Sequence, residues 1–296
     1  SLHDALPIYA AIENSANNPQ KIMQDSVSMI MSNYSPRTLL FGKEFLDKVS
    51  IEQIEEIYRD RIKDISDFTF FIVGNIDAET VKPLVEKYLG SVKSYNRKEN
   101  WVDNKVRGPK GRTEKVIELD LTTPKATVIT SFSKEMKTSI HDNLCLNILR
   151  GVLDQRYMTN IREKEGGTYG VNCMGSLQKY PKEQLLMQIV FQTDPEKKDK
   201  LAGIVVDELK KLAAEGPSDV HLQKVKEYML KKYADNQKEN AYWLNNLNDY
   251  FYYNMDMTQE YTDIVNSITA KDIQKFAADL LKQGNEIEVT MTVPKK

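Results

Sequence analysis

The sequence predicts an α+β fold built as tandem units, each a mainly antiparallel sheet packed with helices. Three observations carry that prediction: β-rich apolar runs of strand length, long stretches of helical periodicity between them, and a helix–strand pattern that recurs at a fixed distance. Gly and Pro are sparse, 13 and 10 in 296 residues, which favours long helices over a many-turned sandwich. Apolar residues make up 41% of the chain, enough for a proper core. The formal charge of −2 supplies no basic surface for nucleic acid or an anionic membrane. No apolar run reaches the ~18 residues a bilayer span needs. Neither a membrane span nor a nucleic-acid partner is expected.

The first eight residues, SLHDALPI, read as a non-native leader of the adapter read-through type and are set aside from the fold. With no initiator Met and no signal-peptide pattern, the true amino terminus is expected upstream. Residues 18–32 have helical periodicity. A second helix follows Ser50, whose hydroxyl suits an N-cap, with Ile51, Ile54, Ile57 and Tyr58 at helical spacing. Asp67–Val73 is a short apolar, β-rich run that predicts a buried strand ended by Gly74 and Asn75. Asp77 then caps a helix through Val81, Leu84, Val85 and Tyr88, stopped by Gly90. Between Lys93 and Lys115 eight Lys or Arg residues stand against three acids, and no aromatic platform accompanies them. That stretch reads as a solvated interdomain linker and not as an anion-binding arm.

A second unit begins at Glu114–Leu121 and Ala126–Ser133, expected to form a strand pair around Thr123 and Pro124. A long helix follows, with Ser139 and Asp142 placed like a capping box and Leu144, Ile148, Leu149, Val152, Leu153 and Tyr157 on one face. Gly166 and Gly167 permit a sharp turn into a strand over Thr168–Met174. Gln184–Gln192 is another strand, four or five helices occupy Pro195–Leu281, and Glu286–Val293 closes as the last strand. The helix opened by Thr269 lies 219 residues after the one opened by Ser50, and Glu286 lies 219 after Asp67. A constant offset over helix and strand suggests duplicated domains of about that length. The first copy then retains only its rear part here, and this chain reads as a fragment.

Chemistry-bearing motifs are few. The histidines are His3, His141 and His221, and none opens the H-E-x-x-H or H-x-x-E-H spacing that sets two imidazoles on one helix face for zinc. Cys145 and Cys173 form no C-x-x-C pair and read as small buried hydrophobes. The aromatic stretch Tyr242, Trp243 and Tyr250–Tyr253 reads as helix packing against the sheet. One constellation stands out in IREKEGGTYGV, from Ile161 to Val171. Arg162 ends a helix, two glycines turn the chain, and Tyr169 starts a strand. The turn can bring a guanidinium and a phenol toward one space, both donors suited to peptide carbonyls or a developing oxyanion. Taken alone, the pair reads rather as an Arg bound to a local acid and a Tyr at a core edge.

The spacing R-E-x-x-G-x-x-Y-x-V resembles the arginine–tyrosine motif in the last domain of insulinase/pitrilysin-type zinc metallopeptidases. Asp67–Asp77 resembles the strand and turn late in the third domain of bacterial single-chain members. Lys224–Glu227 and Asn240–Leu244 resemble helices of the fourth. The resemblance implies tandem domains of the insulinase/mitochondrial-processing-peptidase type: the rear of a third domain over 9–95, a basic linker over 96–112 and a complete fourth domain over 113–296. In that family four such domains form two halves that close on a peptide. The zinc motif lies in the first domain, where the metal activates water, and the arginine and tyrosine reach across from the last to hold the substrate backbone. Arg162 and Tyr169 are thus implied substrate-binding residues, with no catalytic or metal residue in this chain. The implied cofactor is zinc in the full-length protein, not bound here. The implied partners are a peptide substrate and the N-terminal catalytic half, in a bacterial periplasm or cell envelope. The alternative is a non-catalytic structural or peptide-binding half of an inactive member.

Overall fold

The computed structural model describes residues 2–168 and 170–294, with side chains from residue 9 onward. Its first part is helical: α1 (Leu2–Ala16), α2 (Pro19–Met31), the one-turn α3 (Lys43–Leu46), α4 (Ile51–Ile62) and α5 (Ala78–Tyr88). Ser50 and Asp77 are the caps the sequence predicts, and Asn18 is a further one. Asn18, Ser50 and Asp77 accept from the exposed N–H groups of α2, α4 and α5. The backbone of α1 runs through residues 2–8, the segment set aside as a leader, and its Ile12 is buried.

The second part carries the sheet, with strands β1 (Arg112–Glu118), β2 (Ala126–Glu135), β3 (Val171–Gln178), β4 (Gln184–Thr193) and β5 (Asn285–Thr292). Its helices are α6 (Ile140–Tyr157), α7 (Lys198–Glu215), α8 (Asp219–Asn236), α9 (Asn240–Tyr253), α10 (Tyr261–Ser267) and α11 (Ala270–Lys282). The strand order is β1-β5-β2-β4-β3, with β1 parallel to β5 and every other pairing antiparallel. β1 and β2 therefore do not form the expected pair. The last strand of the chain inserts between them, a long-range pairing that local turn signals around Pro124 cannot reveal.

The period of two along each strand divides the sheet between two cores. Val128 and Phe132 of β2 and Met187 and Ile189 of β4 pack with the apolar faces of α6, α7 and α11. On the other face α2 lays Met23, Val27 and Ile30 over Ile287, Val289 and Met291 of β5. Each such burial contributes roughly 1.5–3 kcal/mol relative to exposure. The helix belongs to the first part of the chain, so this second core binds the two parts together.

Three expectations are corrected. Asp67–Val73 forms no strand ladder, and Phe68, Phe70 and Ile72 are exposed where a buried strand was expected. Among the described residues no strand lies beside it to accept its hydrogen bonds. The aromatic helix α9 buries no residue and does not lie on the sheet. Its C-terminal rings instead reach the β3–β4 hairpin, where Tyr180 stacks on Tyr253 at 6.2 Å and meets Tyr252 edge-on at 5.4 Å. The linker is not simply solvated. Trp101 sits edge-on to Tyr180 at 5.2 Å, and Arg97 and Arg107 are engaged by Asp60 and Asp103, so part of its positive charge is answered within the chain.

Candidate substrate-holding site

The site is built where α6 ends. Ser139 caps the helix by accepting from the N–H of Asp142 at 3.0 Å, while its own hydroxyl donates to the Asp142 carboxylate at 2.6 Å. Leu144, Ile148, Leu149, Val152, Leu153 and Tyr157 are all fully buried, as the periodicity predicts. Tyr157 closes the face by donating its hydroxyl to the Val205 carbonyl at 3.1 Å. The helix then widens into a π-helical stretch, Met158–Glu163. Such widening shifts the side-chain register by a fraction of a turn and often marks functional positions. Here Ile161 turns fully inward and Arg162 turns out to solvent. No carboxylate among the described residues pairs with Arg162, which removes the local ion pair as an account of it.

The turn after Arg162 is fixed from both sides. Gly166 has φ +56°, a conformation that favours glycine. At Gly167 an added Cβ would lie 2.8 Å from Leu201 Cδ1, so the backbone can approach α7 only without a side chain. The Gly167 carbonyl accepts from the buried Thr193 hydroxyl at 2.6 Å. Thr168 Oγ1 accepts from the Gly170 N–H at 3.2 Å, bracketing position 169. Tyr169 itself lies outside the described residues.

Periodicity did not disclose what holds β3 in place. Arg150 Nε donates to the Cys173 carbonyl at 3.0 Å, and the Cys173 N–H is engaged by the Asp154 carboxylate. Two residues one helical turn apart thus hold the two backbone polar groups of one residue, Cys173, on an edge strand. At Gly175 an added Cβ would meet Leu146 and Arg150 at 3.0 and 3.1 Å, so glycine allows β3 to lie this close to α6. β3 and β1 are the edges of the sheet. The clamp occupies the β3 edge at Cys173 and so opposes strand addition there. The sequence signal was available: a basic and an acidic residue at i, i+4, Arg150 and Asp154, beside the apolar face of α6.

The other candidates fall into place as packing groups. Burial pushes the Cys145 and Cys173 thiols up to about 12, so neither is a thiolate at neutral pH. His141 Nδ1 lies 3.6 Å from Cys145 Sγ. Among the described residues no group of three His, Cys, Asp or Glu side chains could hold a metal. A neutral thiol beside one imidazole does not make the donor set zinc requires. His221 stands in the first turn of α8, its N–H donating to Ser218 Oγ. No helix among the described residues is long and apolar enough to cross a membrane.

A mixed, mostly antiparallel sheet with helices on one face and a helix from the preceding part on the other is the architecture of one class of peptidase domain. The family model described as the peptidase M16 inactive domain matches residues 48–229, more than half of the chain, and the chain belongs to that insulinase/pitrilysin-type family. It is 28% identical over 172 residues to the probable zinc protease PqqL of Haemophilus influenzae, covering 58% of this chain and 18% of that protein. It is 25% identical over 215 residues to the zinc protease PQQL-like of Arabidopsis thaliana, covering 68% of this chain and 22% of that one. The crystal structure of the periplasmic protease PqqL from Escherichia coli superposes with a TM-score of 0.80 at 18% identity, over 97% of this chain and 32% of that chain. The chain thus spans about a fifth of the length of the curated relatives.

Proposed function

We propose that this chain is the substrate-clamping, C-terminal part of a zinc-dependent metalloendopeptidase, whose zinc motif lies in an N-terminal half of the same protein. Residues 113–296 are read as a complete last domain, and residues 9–95 as the rear of the domain before it. The observation that carries the reading is Arg162: exposed, unanswered by any described carboxylate, and set directly before a turn locked by Gly167 and Thr193. A planar guanidinium left free on such a turn is suited to hold the carbonyl oxygens of an extended peptide. The Tyr169 hydroxyl adds a second donor, most useful where negative charge grows on the scissile carbonyl. Zinc, held elsewhere, supplies Lewis acidity and an activated water. This chain's residues contribute orientation and donors only. The periplasmic PqqL relative supports a bacterial envelope location.

The test is steady-state kinetics of the assembled protease on one quenched peptide. Tyr169→Phe keeps the ring and is expected to lower kcat about 10- to 1,000-fold with melting unchanged. Arg162→Lys keeps charge but loses the planar fork, and is expected to raise KM as well. Wild-type kcat/KM in both variants would leave the site without this role. The second reading, a non-catalytic peptide-binding half, is favoured by the description of the matching family as an inactive domain. It predicts peptide binding by the assembled protein with no turnover.

A further inference from the structure

The far face of the sheet is only partly covered. α2 packs on β5, and between that helix and the neighbouring strands β2 and β4 lies a groove of about 900 Å³. That is near the upper end of the ~300–1,000 Å³ of ligand clefts. Its floor is apolar and pliable. Met31 of α2, Ile129 of β2 and Leu186 of β4 are half-buried there, joined by the buried Met23 and Met291. Unbranched thioether side chains let such a surface adapt to differing partners. Among the described residues that line it, Lys125 carries the one charge, and Asp194 holds that ammonium at 2.7 Å. Two amides stand in this apolar setting. Gln188 Nε2 donates to Ser131 Oγ at 3.1 Å and to Met31 Sδ at 3.3 Å, and Gln192 Nε2 donates to Thr127 Oγ1 at 3.3 Å. With both nitrogens so engaged, the two side-chain carbonyls are what these amides offer a ligand. The groove also adjoins the turn after Arg162. Thr193 holds the Gly167 carbonyl on the helix-covered face of β4, and Gln192, the residue before it, lines the groove. From Gln192 to Leu186 the strand runs roughly 20 Å at ~3.3 Å per residue, the length of about six extended residues.

We infer that this groove is a second substrate-binding site, which takes an uncharged, apolar stretch of the polypeptide held at Arg162 and Tyr169. Its choice of a substrate polypeptide as occupant rests on the substrate-holding role proposed above. The chemistry of the lining selects the rest. An acyl chain would match the methionine floor, but it would bury the Gln188 and Gln192 carbonyls without partners, a desolvation cost that the backbone N–H groups of a peptide remove. A strongly charged peptide would find no counter-ion in the lining, because Asp194 already answers Lys125. Continuity points the same way: a chain leaving the Gly167 turn past Gln192 enters the groove directly. The helical wall of the groove is α2, so an apolar stretch is read by both parts of this chain at once. Contacts this far from the reacting carbonyl are made alike before and during the reaction, and therefore act on KM.

Fluorescence anisotropy of this chain with a short labelled peptide of Leu, Val and Thr tests the groove without any turnover. Saturable binding is expected, with Kd raised at least about tenfold by Leu186→Asp, which sets a carboxylate on the apolar floor. Gln192→Glu, at the exposed mouth, is expected to raise it at least about threefold, and carries the test if Leu186→Asp lowers the melting temperature. The same peptide with Asp at alternate positions should bind at least about tenfold more weakly. In the assembled protease, Leu186→Asp should raise KM at least about fivefold for a quenched peptide bearing an apolar extension, and less for the unextended peptide. Binding that persists in Arg162→Ala upholds the groove, even where that variant leaves kcat/KM of the assembled protease at its full value. Absence of saturable binding would overturn the inference, as would wild-type affinity in both groove variants or equal binding of the acidic peptide. Laurate competing more strongly than the peptide would assign the groove to acyl chains and overturn it too. So would binding that is lost in the assembled protease, which would give the groove to a segment of the other half.

Discussion

Asp64 shows how a single side chain can organise a segment that composition describes only as charged and loop-like. Its Oδ1 accepts from the N–H groups of Ser66 and Tyr95, each at 3.0 Å, and its Oδ2 accepts from the Arg97 N–H at 3.1 Å. Withdrawal from water alone would raise its pKa, but the bonds from Ser66, Tyr95 and Arg97 outweigh this and hold the carboxyl at about 2. The folded value lies below the ordinary value near 4, so the contribution is complete above about pH 5. It is lost as pH falls through about 2. The Tyr95 and Arg97 amides should accordingly lose exchange protection between about pH 4 and 2 in the native protein. Asp64→Ala should show that weak protection already at neutral pH, with no transition in the acid window. A carboxyl titrating near 4 by NMR, or protection independent of pH, would contradict the assignment. Arg97 is held to the end of α4 by the Asp60 carbonyl at 2.7 Å, so the effect stays within this junction.

Elements with strong local signals were legible in the sequence. Ser50, Asp77, Ser139 and Thr269 each cap the helix expected of them, and five helices, four of them long, fill the stretch after β4. What could not be read was pairing over long distances. The insertion of β5 beside β1 joins residues more than 160 apart, and the exposure of Asp67–Val73 depends on neighbours outside the local sequence. The aromatic residues of α9 misled for the same reason: composition gives burial preference, not which element lies opposite. The family motif located Arg162, but not the clamp that positions the strand after it. Arg150→Met keeps the stem of the side chain while removing the donor to Cys173. That change should lower the melting temperature by about 2–6 °C, since a lost bond leaves a buried-edge carbonyl unanswered at about 1–2 kcal/mol. If the proposed substrate-holding role is right, in the assembled protease it should raise KM more than it lowers kcat, because β3 follows directly on the turn after Arg162. An unchanged KM with the same fall in melting would confine the clamp to a stabilising role.

At the scale of the whole molecule, the described residues hold one sheet and two cores, and no metal-binding set lies among them beside the proposed donors. Arg and Tyr side chains orient a carbonyl, but they cannot lower the pKa of water as a bound cation does. Division of labour between two halves of one protease is therefore the central claim. Reconstitution measures it most directly: hydrolysis of a quenched peptide by this chain alone, by the separately produced N-terminal half, and by the two mixed. The account predicts no turnover by this chain alone, and turnover that rises and saturates as it is added to the zinc-bearing half. It further predicts that an Arg162→Ala chain saturates at the same concentration with kcat/KM lower by at least about tenfold. Metal-dependent hydrolysis by this chain alone, or full activity restored by Arg162→Ala, would contradict it.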